Sequence, residues 1–213
     1  MDGFSPDLGW IRASLKKLFA IHIAYDSKRR RINRVASKRL HKGKELKWKY
    51  SKRERNRVSL AIHQLTNAIS DLGYKHGFED LDKTGMYKRW RKKWNRELGY
   101  TDWKKIINFT GYKSTVDLVD PYHTSKDCSR CGCENKDLKG EKFECKNCGL
   151  IIDRQMNAAV NIYLKMEGLP HDIGWFDDNI VGGFTQTGAK WKGTDELVRS
   201  LYDTMKPQVE VVL

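Results

Sequence analysis

Apolar residues in the first seventy positions predict a strand followed by a helix. Leu18 to Tyr25 is a continuous apolar, partly β-branched run, which predicts a buried strand, and residues 30–36 are its candidate hairpin partner. Ser51 to Glu54 has the capping-box pattern, and apolar residues follow it at helical spacing. We therefore predict a helix over residues 51–72 that buries one stripe. The stripe consists of Val58, Ile62, Leu65, Ile69 and Leu72.

Shorter elements follow in the second half of the chain. A stripe at four-residue spacing predicts a second helix whose tryptophans face the core, with base stacking as the alternative role; it consists of Met86, Trp90, Trp94 and Leu98. Thr115 to Val119 alternates as a strand does, and Asn157 to Met166 predicts a short helix. Glycines and mixed polar residues from 168 onward predict an irregular tail. Strands and helices alternate, which favours an α/β fold.

Length and charge narrow the classes of protein that the chain can represent. Its 213 residues suffice for one domain with a small insert. No apolar run approaches the ~18 residues of a membrane span and no signal peptide is recognisable, so we expect a cytoplasmic protein without membrane contact. The net charge of +14 favours a polyanionic partner, DNA or RNA.

Most of this charge lies in one segment. Fifteen basic and only two acidic residues occur between Lys28 and Arg57. A solvated surface is the alternative, but this density of like charge would repel itself unless phosphates neutralised it, so we predict nucleic-acid contact. The predicted contact residues are Arg29, Arg30, Arg31, Arg34, Lys47, Lys49, Lys52, Arg53 and Arg57.

All five cysteines lie between positions 128 and 148. Cys128 with Cys131 and Cys145 with Cys148 form two Cys-x-x-Cys pairs separated by thirteen residues. Two such pairs can supply four thiolates to a closed, tetrahedral Zn²⁺ site. The odd count and the missing secretory signal disfavour disulfides. We predict a structural zinc ribbon, with Cys133 outside it.

The sequence around the cysteines resembles the TnpB (OrfB) family of transposon-associated proteins, which are related to the RuvC nuclease half of type V CRISPR effectors. The resemblance rests on Val119–Gly132, on Phe143–Gly149 and on Asp153–Ile162, which contains Asn-Ala-Ala-Val-Asn. Phe78-Glu79-Asp80-Leu81 upstream looks like the family's glutamate motif. The resemblance covers roughly residues 45–165.

This resemblance implies an α/β, RNase H-like (RuvC) core with a zinc ribbon inserted before the last helix. It also implies that the protein uses a guide RNA and cleaves DNA with three carboxylates that hold Mg²⁺. Mg²⁺ is a hard cation and therefore requires oxygen ligands. Glu79 matches the family's middle carboxylate. The family's last carboxylate ends an Asp-Arg-Asp pattern, where this chain has Asp153-Arg154-Gln155, so that Asp153 is the remaining candidate. Asp7 and Asp26 are candidates for the first.

The resemblance also implies a division of the chain into four parts. We expect a RuvC-like core with the basic helix over residues 1–120, a zinc ribbon over 121–155, the last core helix over 156–167 and an irregular tail over 168–213. The chain is short for this family, so we expect a truncated relative with an incomplete core.

Three functions are compatible with these features. The first is a TnpB-like nucleic-acid-binding protein with impaired cleavage. The second is an active Mg²⁺-dependent DNA endonuclease or transposase accessory protein. The third is a DNA-binding regulator without enzymatic activity. A zinc-ribbon protein of translation or transcription would make the match around Glu79 and Asn157 accidental.

Overall fold

The structure is a computed structural model that describes residues 1–73, 75–89, 92–138, 140–181 and 209–211. Its elements in chain order are β1 (Asp2–Ser5), β2 (Gly9–Ala13), α1 (Lys16–Ala36), α2 (Leu40–Ser70), β3 (Lys75–Glu79), α3 (Lys83–Arg89), α4 (Lys92–Tyr100), α5 (Trp103–Gly111), β4 (Thr115–Val119), β5 (Lys142–Glu144), β6 (Ile151–Asp153), α6 (Arg154–Glu167), α7 (Ile173–Phe176), a π-helical turn (Asp177–Val181) and β7 (Val209–Val211). The architecture is mixed α/β. None of the helices described has the length and apolar character that a membrane span requires.

The chain forms two compact units. The first contains Met1–Ala13, Gly77–Leu81 and the described residues between Asp117 and Val211, and the second contains the described residues of Ser14–His76 and Asp82–Val116. The predicted four-part division stays a prediction.

Strands β1 and β2 of the first unit form an antiparallel hairpin in which Phe4 lies opposite Trp10. Strand β2 also pairs in parallel with β7, so the order of this sheet is β1-β2-β7. Strands β3 and β4 pair with each other, and β5 and β6 form a separate antiparallel hairpin. Helix α6 packs against β1.

The core of the first unit surrounds the cysteine ribbon. Side chains from β2, from the cysteine turns, from the hairpin β5–β6, from α6 and from the segment after α6 meet there, and each is at most 3% exposed. They are Trp10, Cys128, Phe143, Cys145, Leu150, Ile152, Met156, Val160, Leu164, Phe176 and Ile180. The short ribbon is thus buried by residues that lie outside it in the sequence.

Residues 173–181 of the predicted irregular tail form α7 and the π-helical turn. Phe176 on α7 and Ile180 on the π-helical turn are fully buried, and Arg130 of the ribbon forms a bidentate ion pair with Asp177, at 2.9 and 2.7 Å. The prediction of an irregular tail is wrong here because nine residues with two buried side chains are too short to show a period. Residues 182–208 lie outside the described residues.

Helices α1 and α2 form a helical hairpin in the second unit, which corrects two predictions. Leu18, Tyr25 and Ile32 are the buried residues of α1, and their seven-residue spacing corresponds to two helical turns. The strand predicted over residues 18–25 and its partner over 30–36 are therefore wrong, because an eight-residue apolar run does not distinguish the two periods. Helix α2 begins at Leu40 and passes through the predicted capping box at Ser51.

The predicted second helix corresponds to α3 and α4, which lie on either side of residues 90–91, outside the described residues. Trp94 is 57% exposed, so the prediction that it faces the core is wrong, and Trp90 lies outside the described residues. The strand at Thr115–Val119 is confirmed, and the helix predicted over residues 157–166 is confirmed as the larger part of α6.

Candidate metal centre and candidate nucleic-acid surface

The four cysteines of the two pairs converge on one point. Their sulfur atoms all lie within 4.8 Å of one another. Cys128 Sγ is 3.6 Å from Cys148 Sγ, and Cys131 Sγ is 3.6 Å from Cys145 Sγ. Tetrahedral zinc with bonds of about 2.3 Å would separate its sulfurs by about 3.8 Å. The cluster could therefore hold a metal ion, and its four soft donors in a closed site suit Zn²⁺.

Two backbone turns bring the sulfur atoms together. Gly132 N–H donates to the Cys128 carbonyl at 2.8 Å, and Gly149 N–H donates to the Cys145 carbonyl at 3.0 Å. Both glycines have φ near +70°, which L-residues with a Cβ rarely adopt. The glycines that follow the cysteine pairs thus have a geometric role. Cys133 is exposed and lies outside the cluster.

The clustered thiols shift one another's pKa in opposite directions. A hydrogen bond from the Cys128 thiol lowers the pKa of Cys148 to about 5, against the effect of burial. The same hydrogen bond, together with burial, raises the pKa of Cys128. One thiolate is therefore favoured at neutral pH, and a bound cation would favour deprotonation of the other thiols as well.

Two buried asparagines of α6 hold the first cysteine turn. Asn157 accepts a hydrogen bond from Ser129 N–H at 2.9 Å and donates to the Asp127 carbonyl at 2.8 Å. Asn161, one turn later, donates to the same carbonyl and to that of Thr124, both at 2.7 Å. Both asparagines are at most 2% exposed. They therefore act as side-chain partners for a loop whose own backbone groups would be unsatisfied.

Glu79 is connected to the same loop. It ends β3, and its Oε1 accepts a hydrogen bond of 2.6 Å from the Thr124 hydroxyl. Thr124 is 2% exposed, and its carbonyl is one of the two that Asn161 holds. A chain of hydrogen bonds therefore runs from Glu79 through Thr124 and Asn161 to the loop that carries Cys128.

Asp153 has a structural role at the start of α6. Its Oδ1 accepts hydrogen bonds from Gln155 N–H at 2.8 Å and from Met156 N–H at 3.2 Å, which is the geometry of an N-cap. The Gln155 side chain is exposed. The catalytic roles of Glu79 and Asp153 stay a prediction.

The two candidates for a first carboxylate have different surroundings. Asp7 is exposed in the turn between β1 and β2. Asp26 belongs to α1 in the second unit and pairs with Arg29, Arg30 and Arg96. Within the described ranges, the four cysteines form the only group of three or more histidine, cysteine, aspartate or glutamate ligands close enough to share an ion. Glu79, Asp153, Asp7 and Asp26 thus belong to no such group among the described residues, and a Mg²⁺ site formed by carboxylates stays a prediction.

The α1–α2 hairpin presents most of the predicted nucleic-acid contacts. Eight of the nine are exposed; they are Arg30, Arg31, Arg34, Lys47, Lys49, Lys52, Arg53 and Arg57. Arg29 is partly exposed and forms ion pairs with Asp26 and Glu54. Helix α2 has 31 residues and is thus about 46 Å long. The hairpin therefore offers an extended cationic surface.

A histidine links three elements of the second unit. His22 Nδ1 lies 3.0 Å from Glu54 Oε1 of α2, and His22 Nε2 lies 2.7 Å from Asp102 Oδ2 at the start of α5. Tyr100 stacks on the imidazole. Burial lowers the pKa of His22, but the hydrogen bonds and charges of the two carboxylates outweigh it, so that the pKa is raised overall. The protonated imidazole thus links α1 to α2 and α5.

Three residues have roles that were not predicted from the sequence. Asn161 donates to the backbone of the loop before Cys128, and the Thr124 hydroxyl donates to Glu79. His22 joins α1 to the carboxylates of Glu54 and Asp102. A signal for the asparagines was present, because polar residues at positions 157 and 161 of an otherwise apolar helix face must find partners when buried. No comparable signal marks Thr124.

Comparison with known proteins identifies relatives across much of the chain. The Cas12f1-like TNB domain family matches residues 103–162. One TnpB-like protein of Methanocaldococcus jannaschii is 42% identical over 119 residues, which are 55% of this chain and 56% of the relative. A second from the same organism is 33% identical over 167 residues, which are 78% of this chain and 40% of the relative. The chain thus spans about half the length of these relatives.

One solved structure is also similar. A chain of the cryo-EM structure of a Cas12f1-sgRNA-target DNA complex is 24% identical, with a TM-score of 0.47, over 70% of this chain and 42% of that one. A likeness of this level does not define a shared fold.

The fold and the site define a mixed α/β protein with a four-cysteine ribbon and a basic helical hairpin. The sequence relationships confirm the resemblance found in the motifs. The chain is similar to TnpB-like proteins over more than half of its length.

Proposed function

We propose that the chain is a TnpB-like, transposon-associated protein that binds DNA or RNA through the α1–α2 hairpin. The observation that carries this proposal is the set of exposed arginines and lysines on the hairpin, among them Lys49 and Arg53 one turn apart on α2. Phosphates would neutralise these charges and release counterions, which is the main source of affinity for nucleic acids.

The four cysteines would hold a structural Zn²⁺ in this proposal. Bound zinc supplies a closed tetrahedral centre that fixes both cysteine turns, and it has no open position for a substrate. Cys128 and Cys145 are buried in the core of the first unit, where the ion would stabilise the fold.

We further propose that the chain has an RNase H-like core in which cleavage is weak or absent. Gln155 supports this, because an amide at the family's acidic position brings no negative charge to offset two Mg²⁺ ions. The N-cap bonds of Asp153 support it as well. A Mg²⁺-dependent nicking assay tests this part, and cleavage that Glu79→Gln abolishes would contradict it.

Fluorescence anisotropy with labelled DNA and RNA over a salt series tests the binding proposal. We compare Lys49→Glu/Arg53→Glu on the hairpin with Lys126→Glu/Lys136→Glu, which makes the same charge change at exposed positions outside the hairpin. Loss of two phosphate contacts should reduce the slope of log affinity against log salt by about 1.8. The control pair should leave the slope unchanged. Equal effects of both pairs, or no binding by the wild-type chain, would contradict the proposal.

A further inference from the structure

The exposed side of α2 carries one large aromatic residue among cations. Lys44, Trp48 and Lys52 follow at four-residue spacing, and Arg55 continues the same face one turn after Lys52. All four are exposed, and the Trp48 side chain is 68% exposed. Successive members are separated by about 4.5–6 Å along the helix axis. We refer to these four residues as the Trp48 stripe.

The surroundings of Trp48 argue against a role in packing. Its exposure shows that the indole is not part of the hydrophobic core of the second unit. An apolar protein partner would require apolar neighbours around it, but the positions one turn before and one turn after are Lys44 and Lys52. The charge of the stripe is instead complementary to phosphate.

Lys52 and Trp48 form a pair of contacts suited to one nucleotide. Lys52 Nζ lies 5.2 Å from the centroid of the indole, within cation–π range. An ammonium beside an exposed ring places a phosphate-binding group next to a stacking surface. Proteins that bind single strands combine these two elements, because every unpaired base has a π-face that can stack on an aromatic ring. In a regular duplex, neighbouring bases already cover those faces.

We infer that the Trp48 stripe binds a single-stranded segment of nucleic acid, with an unpaired base stacked on Trp48 and flanking phosphates bound by Lys44, Lys52 and Arg55. This inference rests on the proposed function, since it assigns a substrate class to the same hairpin. It makes Trp48 the residue by which the hairpin prefers single strands to duplexes.

The test compares Trp48→Ala with two other variants of α2. Trp48→Phe retains a stacking ring, and Leu60→Ala removes another exposed apolar side chain from the same helix. Anisotropy is measured with labelled oligothymidylate, with an oligouridylate and with a mixed-sequence duplex of equal length, all at one salt concentration. Circular dichroism checks that each variant folds.

We expect Trp48→Ala to weaken single-strand binding about tenfold and duplex binding less than twofold. Trp48→Phe should stay within about threefold of wild type and Leu60→Ala should match it, because a ring can still stack in the first and no stacking group is lost in the second. Equal losses for single strands and duplex, or no loss for either, would overturn the inference while leaving the hairpin a nucleic-acid surface. Absence of binding by the wild-type chain would overturn the proposed function as well.

Discussion

The two asparagines of α6 allow a quantitative test of how the cysteine ribbon is held. Asn157→Ala removes the acceptor of Ser129 N–H and one donor to the Asp127 carbonyl. Asn161→Ala removes the other donor to that carbonyl and the donor to Thr124. Each single variant therefore leaves Asp127 with one amide partner, and the double variant removes both.

The expected costs follow from these hydrogen bonds. Each substitution loses two hydrogen bonds at about 1 kcal/mol each and leaves a buried group unsatisfied, so each should reduce the free energy of unfolding by about 2–3 kcal/mol. The double variant should cost about 1 kcal/mol more than the sum of the two, because only then does the buried Asp127 carbonyl lose both amide donors.

Denaturant unfolding of the zinc-loaded chain, followed by far-UV circular dichroism, measures all three costs. Gln155→Ala is the matched control, since it truncates an exposed amide on the same helix and should change stability by less than about 0.5 kcal/mol. If Asn157→Ala and Asn161→Ala each reduce the free energy of unfolding no more than Gln155→Ala does, the role that we assign to the asparagines is refuted. If the cost of the double variant equals the sum of the two single costs, the proposal that both amides support the Asp127 carbonyl is refuted.

Three further predictions concern the metal, a histidine and a helix cap. Chelation of zinc, or Cys145→Ser, should unfold residues 121–155, and hydrogen exchange should then increase in this segment. Unchanged exchange would contradict a ribbon that is held by a metal ion. Because the pKa of His22 is raised in the folded state, its charged form stabilises the fold fully below about pH 6.5, and this contribution is lost as pH rises through the folded-state pKa. The stability difference between wild type and His22→Gln should therefore shrink as pH rises above about 6.5, and a constant difference would argue against the charged link. Asp153→Ala removes the N-cap of α6 and should lower the melting temperature, at a cost of about 1 kcal/mol in stability. Asp153→Asn keeps an acceptor and should cost less. Equal decreases in melting temperature for the two variants would contradict the capping role.

The sequence alone was sufficient for features encoded by short spacing. The two cysteine pairs predict a metal cluster because each turn is local, and the structure brings all four sulfurs together. The buried stripe from Val58 to Ile69 is long enough to establish the helical period. The family resemblance was also accessible, because its motifs are contiguous.

Other features depend on contacts between distant residues. Glu79 and Thr124 are 45 positions apart, and no local pattern indicates that their side chains meet. Glu54 looked like part of a capping box, but its carboxylate bonds His22 across the hairpin. The strand expected at Leu18 is wrong for a similar reason. Residues 18–25 are helical because they are buried against α2, and the short apolar run by itself does not distinguish a helix from a strand.

The position of Phe176 and Ile180 has a practical consequence for protein engineering. Both side chains complete the packing around Cys128 and Cys145, although they follow the last cysteine by more than twenty-five residues. A fusion protein that contained only residues 128–148, from the first to the last cysteine of the ribbon, would lack this packing. A portable version would have to include α6 and the chain through Val181.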